Sequence, residues 1–257
     1  MPHPTSILLA LSCVLLTAPA MGLAQGVPAD TGAKVRGVNP ADNVTKIEIL
    51  PKLTILDDAG GTSITNLTFK YDRAIKGRYG INVELPVGRF ESPSGADNGL
   101  GDLFVRGRAQ KSWGGWTGIA ALEASVPTAS ANTLGTGQWQ LNPVLVGVRA
   151  FSPQVFTALV AKHFFSVAGD EARDDIRQGL YRVLIAQASP KGWWLLLDPQ
   201  LYVDYNRDAR SSLIVEVEAG TMAGGTTGIW IRGGGMVAGG WDRQQWGVSG
   251  GVRFISF

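Results

Sequence analysis

Cysteine is all but absent from this chain. Among 257 residues only Cys13 occurs, and it falls within an apolar stretch that reads as a removable leader. The mature part therefore offers neither disulfides nor thiolate chemistry, and export without them suits a bacterial envelope better than a eukaryotic secreted domain. Histidine is nearly as scarce, with His163 alone beyond the leader. A metal centre needs a cluster of His, Cys or carboxylates, so neither metal nor cofactor is expected. The 23 Lys and Arg against 21 Asp and Glu leave a formal net charge of +2. No dense basic stripe stands out, which excludes nucleic acid as a partner. Long apolar runs are also missing. After Ala24 none approaches the ~20 residues of a transmembrane helix, so a membrane could be crossed only by a closed barrel of strands.

What the chain does have is glycine and alternation. Its 34 glycines far exceed the ~7% of average usage and favour turns and bent strands over helices. Ile7–Ala18 is an apolar core of signal-peptide length. Gly22-Leu23-Ala24 supplies small residues before a cleavage point at Gln25, although the first six residues lack Lys or Arg. Cys13 comes too early, and in the wrong company, for a lipoprotein anchor. Residues 1–24 are thus expected to be a signal peptide, 25–43 a flexible tail or partial plug, and 44–257 a single all-β domain.

From Trp193 onward the pattern is plainest. Trp193, Leu195, Leu197, Pro199, Leu201 and Val203 alternate with Asp198, Gln200, Tyr202 and Asp204. After a polar turn, Leu213, Val215 and Val217 alternate with Glu216 and Glu218. Side chains alternate faces along a strand, so this is a hairpin with one apolar and one charged face. Similar segments recur from Thr45 to the C-terminus. They make about twelve strands of roughly ten residues, enough to cross a bilayer at a tilt. Val155–Val167 is apolar on both faces and its register stays open; Glu91–Gly99 reads as a long loop. Connections near 75, 113, 152 and 190 are short, while those near 95, 133, 172 and 242 are longer and more polar, with 59 and 223 fitting less cleanly. Sorting by length between two ends is the mark of a transmembrane antiparallel up-and-down β-barrel. Trp113, Trp116, Trp193 and Trp194 beside short turns, and Trp139, Trp241 and Trp246 beside long loops, suggest aromatic girdles at both interfaces.

Three segments carry a family likeness: Gly99–Arg108 (GLGDLFVRGR), Val126-Pro127-Thr128, and Gly135–Pro143 (GTGQWQLNP). Together they resemble the bacterial outer-membrane family named for the MetA pathway of phenol degradation. The resemblance extends over most of the chain from about residue 45. It implies a barrel with a porin-like or transporter role towards small, aromatic or hydrophobic molecules, and it supplies no catalytic residues. Outer-membrane barrels commonly end in an aromatic residue read by the assembly machinery, the role expected of Phe257. Ile255 shares its phase but Arg253 breaks it, so a bulge near Phe254-Ile255 is expected.

Catalytic chemistry finds little support, and no enzyme is expected. His163 and Ser166 lie three apart on one strand, hence on opposite faces, which separates a base from its nucleophile. Asp170, Glu171, Asp174 and Asp175 read as a solvated loop rather than a cation site. Glu216 and Glu218 share one strand face and cannot flank a substrate as a glycosidase pair does. The stronger constellation is a ladder of opposite charges. Arg182 falls opposite Asp198 or Gln200, and Arg232 opposite Glu216 or its neighbour, with Asp102, Arg106 and Arg108 forming a second charged strip. Asp102, Arg106, Arg108, Arg182, Asp198, Gln200, Tyr202, Asp204, Glu216, Glu218 and Arg232 are therefore the candidate lumen-lining residues, as a permeation path or as filling for a narrow lumen. The expected function is a narrow outer-membrane channel or transporter for uptake or efflux of a small-molecule solute. Its surroundings would be outer-membrane lipids and lipopolysaccharide, with the barrel-assembly machinery as a partner during insertion. A non-conducting structural or adhesion-type barrel and, behind it, a barrel lipid hydrolase are the alternatives.

Overall fold

Strand alternation resolves into one closed sheet. The computed structural model describes residues 35–57, 61–239 and 244–256, so the expected signal peptide with Cys13, and also Trp241 and Phe257, lie outside the described residues. None of the described residues is helical. Thirteen strands follow one another: β1 (Thr45–Asp57), β2 (Thr62–Ile75), β3 (Tyr79–Ser92), β4 (Gly95–Leu100), β5 (Leu103–Trp113), β6 (Trp116–Val126), β7 (Gln138–Ala150), β8 (Val155–Gly169), β9 (Arg177–Ala188), β10 (Trp193–Asp204), β11 (Arg210–Ala223), β12 (Thr227–Gly239) and β13 (Trp246–Ser256). Each pairs antiparallel with its neighbours, β1 pairs with β13, and the β2–β3 pairing completes the ring.

Twelve strand positions make up the wall. β4 and β5 share one of them, since β4 pairs with the far half of β3 (Val87↔Leu100 to Ser92↔Gly95) and β5 with the near half (Glu84↔Phe104 to Tyr79↔Ala109). Residues 91–99 are thus not the loop expected of them. They extend the β3 hairpin beyond the rim, and the break at Gly101-Asp102 lets the strand re-enter the wall.

Connections sort by end. Residues 76–78, 114–115, 151–154, 189–192 and 224–226 form short turns at the end where β1 begins and β13 finishes, while 127–137 and 170–176 are the long loops opposite. The tightest is Gly114-Gly115, whose φ values of 51° and 80° fit the type I′ turn that matches strand twist.

Faces follow the alternation. Leu195, Leu197, Val217, Ile231, Leu145, Phe69 and Phe254 are exposed on the outside, whereas Leu196, Asp198, Gln200, Glu216 and Glu218 are buried within. A continuous apolar exterior is what a bilayer solvates and water does not. Trp113, Trp116, Trp193, Trp139 and Trp246 join this outer surface, but Trp194 turns inward and is buried, which corrects its expected place in a girdle. Its ring lies over Gly220, where a Cβ would stand 2.2 Å from Cζ2. Gly220→Val is expected to displace the indole and cost about 1–3 kcal/mol, read as a lower urea midpoint with red-shifted tryptophan emission.

Two register expectations are settled. In β8, Phe156 and Ala158 are buried inside while Leu159 is exposed outside, so the strand is apolar on both faces because its inner half meets an apolar interior. In β13 the pairing with β1 runs from Thr45↔Ser256 through Ile49↔Val252 and on to Ile55↔Trp246 without a shift. The expected bulge is absent. Arg253 instead faces inward in phase with Ile255, because a buried carboxylate awaits it.

Candidate functional site

The barrel interior is built in three layers. At the short-turn end it is apolar: Ile119, Val148, Phe156, Ala158, Leu184, Ala186 and Leu196 pack around Ala41 and Val38, and Val35 packs with Trp194 and Trp230. Residues 35–44, ahead of β1, therefore occupy this end of the interior. Arg108 fixes them, donating to the carbonyl of Pro40 (3.1 Å) and to Asn43 Oδ1 (2.7 Å), while Gln110 Nε2 donates to the Ala41 carbonyl (3.1 Å). Arg108 thus engages the N-terminal segment rather than a strip of carboxylates.

Asp42 lies in this segment and accepts the Gly37 N–H at 2.9 Å. Burial disfavours its charged form and pushes its pKa up from the ordinary 3.8 to about 6, against the pull of that N–H and of the Arg36, Lys46 and Arg253 charges. Since the raised value belongs to the docked segment, docking retains a proton. That advantage is complete below the ordinary carboxylate value and is lost as pH rises through about 6. Protease cleavage within residues 35–44 is expected to increase between about pH 4 and pH 7. Asp42→Asn, which keeps an acceptor for Gly37, should flatten the profile; an identical slope in the variant would assign the effect elsewhere.

The middle layer is charged and has two centres. On one side Asp198 accepts from Arg182 through Nε (3.1 Å) and Nη2, from Arg232 Nη1 (3.2 Å) and from Gln200 Nε2 (3.1 Å). Arg232 also holds Glu218 Oε2 through Nε (3.0 Å) and Nη2 (2.5 Å), and lies 3.6 Å from Glu216. Glu216 takes Gln200 Nε2 (2.8 Å) and Gln244 Nε2 (2.9 Å), with Lys52 4.0 Å away, and Tyr202 Oη donates to Gln200 Oε1 (3.2 Å). Sheet register makes this cluster: Asp198 faces Glu216, Gln200 faces Arg182, and Glu218 faces Arg232. On the other side Glu123 is held by Arg106 through Nε (3.0 Å) and Nη2 (2.5 Å), by Lys162 and by Asn142 Nδ2 (3.3 Å), while Glu84 pairs with Lys70 at 3.1 Å. A smaller set joins them: Glu48 Oε1 accepts from Arg253 Nη2 and from Trp230 Nε1, both at 2.8 Å. Trp194 Nε1 donates to Glu218 Oε1 at 2.7 Å.

The long-loop end is tied down by hydrogen bonds. Asp102 leaves the charged layer altogether. It accepts from Thr136 N (2.7 Å) and Oγ1 (2.9 Å) and so clamps residues 127–137. Arg173 donates to the Asn132 carbonyl (2.8 Å), and Gln138 Nε2 to that of Asp170 (2.9 Å), linking the two long loops. Asp204 caps the next turn through Asn206 N at 3.0 Å and belongs to the rim.

Structure therefore brings Arg182, Asp198, Gln200, Tyr202, Glu216, Glu218 and Arg232 into one cluster, places Arg106 in another, and sets Asp102, Arg108 and Asp204 to fastening the interior and the loops. Sequence reasoning missed Glu48, Lys52, Glu84, Glu123, Lys162 and Arg253. Their inward phase was visible in the alternation, but not which residues meet them across the sheet. His163 is on the outer face. Its ring stacks on Phe165 and Tyr205 at 5.7 and 5.9 Å, and Ser166 Oγ instead accepts from Ile176 N. No base reaches that serine from His163. Among the described residues no group of three or more His, Cys, Asp or Glu side chains could hold a metal ion.

No family model matches the chain, and no curated protein sequence matches it. Solved structures do. The COG4313 outer membrane channel from Pseudomonas putida F1 is similar with a TM-score of 0.69 at 13% identity, over 85% of this chain and 100% of that one. The NanC porin gives 0.58 at 9% identity (83% and 100%), and the KdgM porin 0.56 at 11% (82% and 99%). Such identities speak for the fold. The fold is that of an outer-membrane barrel. The likeness agrees with the apolar exterior, the closed antiparallel wall and the sorting of turns, each of which a bilayer demands.

Proposed function

We propose that the chain forms a narrow outer-membrane channel for small molecules. One observation supports this above others: the middle of the barrel is walled by charged side chains that keep contact with water, not by a close-packed apolar core. Twelve strands enclose more room than an eight-stranded barrel filled by its own side chains and less than a sixteen-stranded porin. The resemblance to the MetA-pathway family narrows the cargo to small aromatic or hydrophobic molecules, taken up or exported. Outer-membrane lipids and lipopolysaccharide would surround the apolar belt, and the terminal Phe257 would present the barrel to the assembly machinery.

The purified protein should migrate differently on a gel before and after boiling, and in planar bilayers it should give discrete conductance steps. Liposomes containing it should swell in small solutes. A second reading has its own support, since residues 35–44 fill the short-turn end with apolar contacts: a non-conducting structural barrel. Heat-modifiable migration with neither conductance nor swelling would establish that reading and end the first.

A further inference from the structure

The ion pairs of the middle layer are not symmetrical across the wall. Resting on the channel reading, we infer that the lumen selects for anions, and that within the small aromatic cargo its solutes are the carboxylates. In pair after pair the carboxylate is recessed against the strands and the cation reaches the water. Asp198 has no exposed side-chain surface, while its partner Arg182 keeps 25%. Glu123 retains 2% against 33% for Arg106. Glu216 retains 8% against 33% for Lys52, and Glu218 4% against 21% for Arg232. Within this layer, among the described residues, only Lys46 with Asp72 runs the other way, at 18% and 21%; Arg89 with Glu91 and Arg207 with Asp174 do so too, but on exposed hairpin and loop segments away from it.

Geometry explains the asymmetry. Each carboxylate stands on a short stem, close to the backbone, and its oxygens are consumed by guanidinium, ammonium, indole or amide donors. Arginine and lysine project further, and with five and three N–H donors respectively they satisfy a carboxylate while leaving other N–H groups toward the axis. An ion passing Asp198, Glu123, Glu216 and Glu218 therefore approaches N–H groups more closely than it approaches those carboxylate oxygens. Eight cations, Lys46, Lys52, Lys70, Arg106, Lys162, Arg182, Arg232 and Arg253, meet seven carboxylates, Glu48, Asp72, Glu84, Glu123, Asp198, Glu216 and Glu218, in these pairs. The sum is nearly neutral, so the sign of selectivity comes from placement rather than from net charge. A low-dielectric wall focuses the field of the nearer charge.

The test is the reversal potential of the full mature chain in a planar bilayer under a potassium chloride gradient. Chloride is expected to permeate at least about threefold better than potassium, as rings of fixed charge at close quarters allow. Benzoate in place of chloride should still carry current. Lys52→Gln with Lys70→Gln removes two water-facing cations of the middle layer, 33% and 24% exposed, and should bring the ratio toward one; Lys191→Gln, in the 189–192 turn, should leave it alone. A conducting channel with a ratio near one, or favouring potassium, overturns the inference and leaves the channel reading standing. A barrel that conducts nothing ends both. Should the double variant not fold, the wild-type ratio decides by itself.

Discussion

Replacing Asp198 with Ala is expected to destabilise the barrel by about 3–5 kcal/mol, the cost of removing one partner from a buried ion pair. Asp198 is completely buried and accepts from Arg182, Arg232 and Gln200. Without it two guanidinium groups face each other across the sheet with a share of their donors unanswered. Glu216 and Glu218 stay with Arg232, so the loss falls mainly on Arg182. Asp198→Asn keeps an acceptor oxygen while giving up the charge, and should lose less. Urea titration of the folded band on unboiled gels reads both variants. A loss below about 1 kcal/mol would class the cluster with solvated surface pairs and remove it as a structural element.

Deleting residues 25–43 is expected to raise single-channel conductance several-fold. Val35 and Ala41 are buried inside the short-turn end, and Arg108 and Gln110 hold the backbone between them. Their removal clears the apolar end of the lumen, frees Arg108 and exposes Ile119, Val148 and Phe156 to water. The same variant should be less stable, since burying a valine side chain contributes about 1.5–3 kcal/mol. Paired recordings of the two proteins in the same salt check the expectation. Equal conductances would mean that the segment lies beside the ion path rather than in it.

Periodicity made the wall legible. Alternation from Trp193 to Val203 announces which side chains face outward, and the exposed Leu195 and Leu197 against the buried Leu196 and Asp198 follow that phase. Places where the reading failed share a cause. Residues 91–99 form the end of β3, a turn and the returning β4 although their sequence is that of a polar loop, because an extended hairpin needs backbone partners and no apolar face. Arg253 looked like a fault in the last strand, yet it is adjacent to Glu48, a residue 205 positions away in the chain. Trp194 sits beside a turn as an interfacial tryptophan would, but its phase sends it inward to Glu218.

Local sequence by itself determined most of the strands, the short turns and the apolar exterior, since each depends on periods of two residues and on glycine-bearing turns within a short span; closure needed β1 to meet β13, about 200 residues away. Tertiary structure alone decided what fills the barrel. The apolar seal joins residues 35–44 to strands as distant as β9 and β10, and each charged centre draws on four or more strands. Contacts of that kind are set by barrel closure and stagger, which bring together residues with no spacing in common.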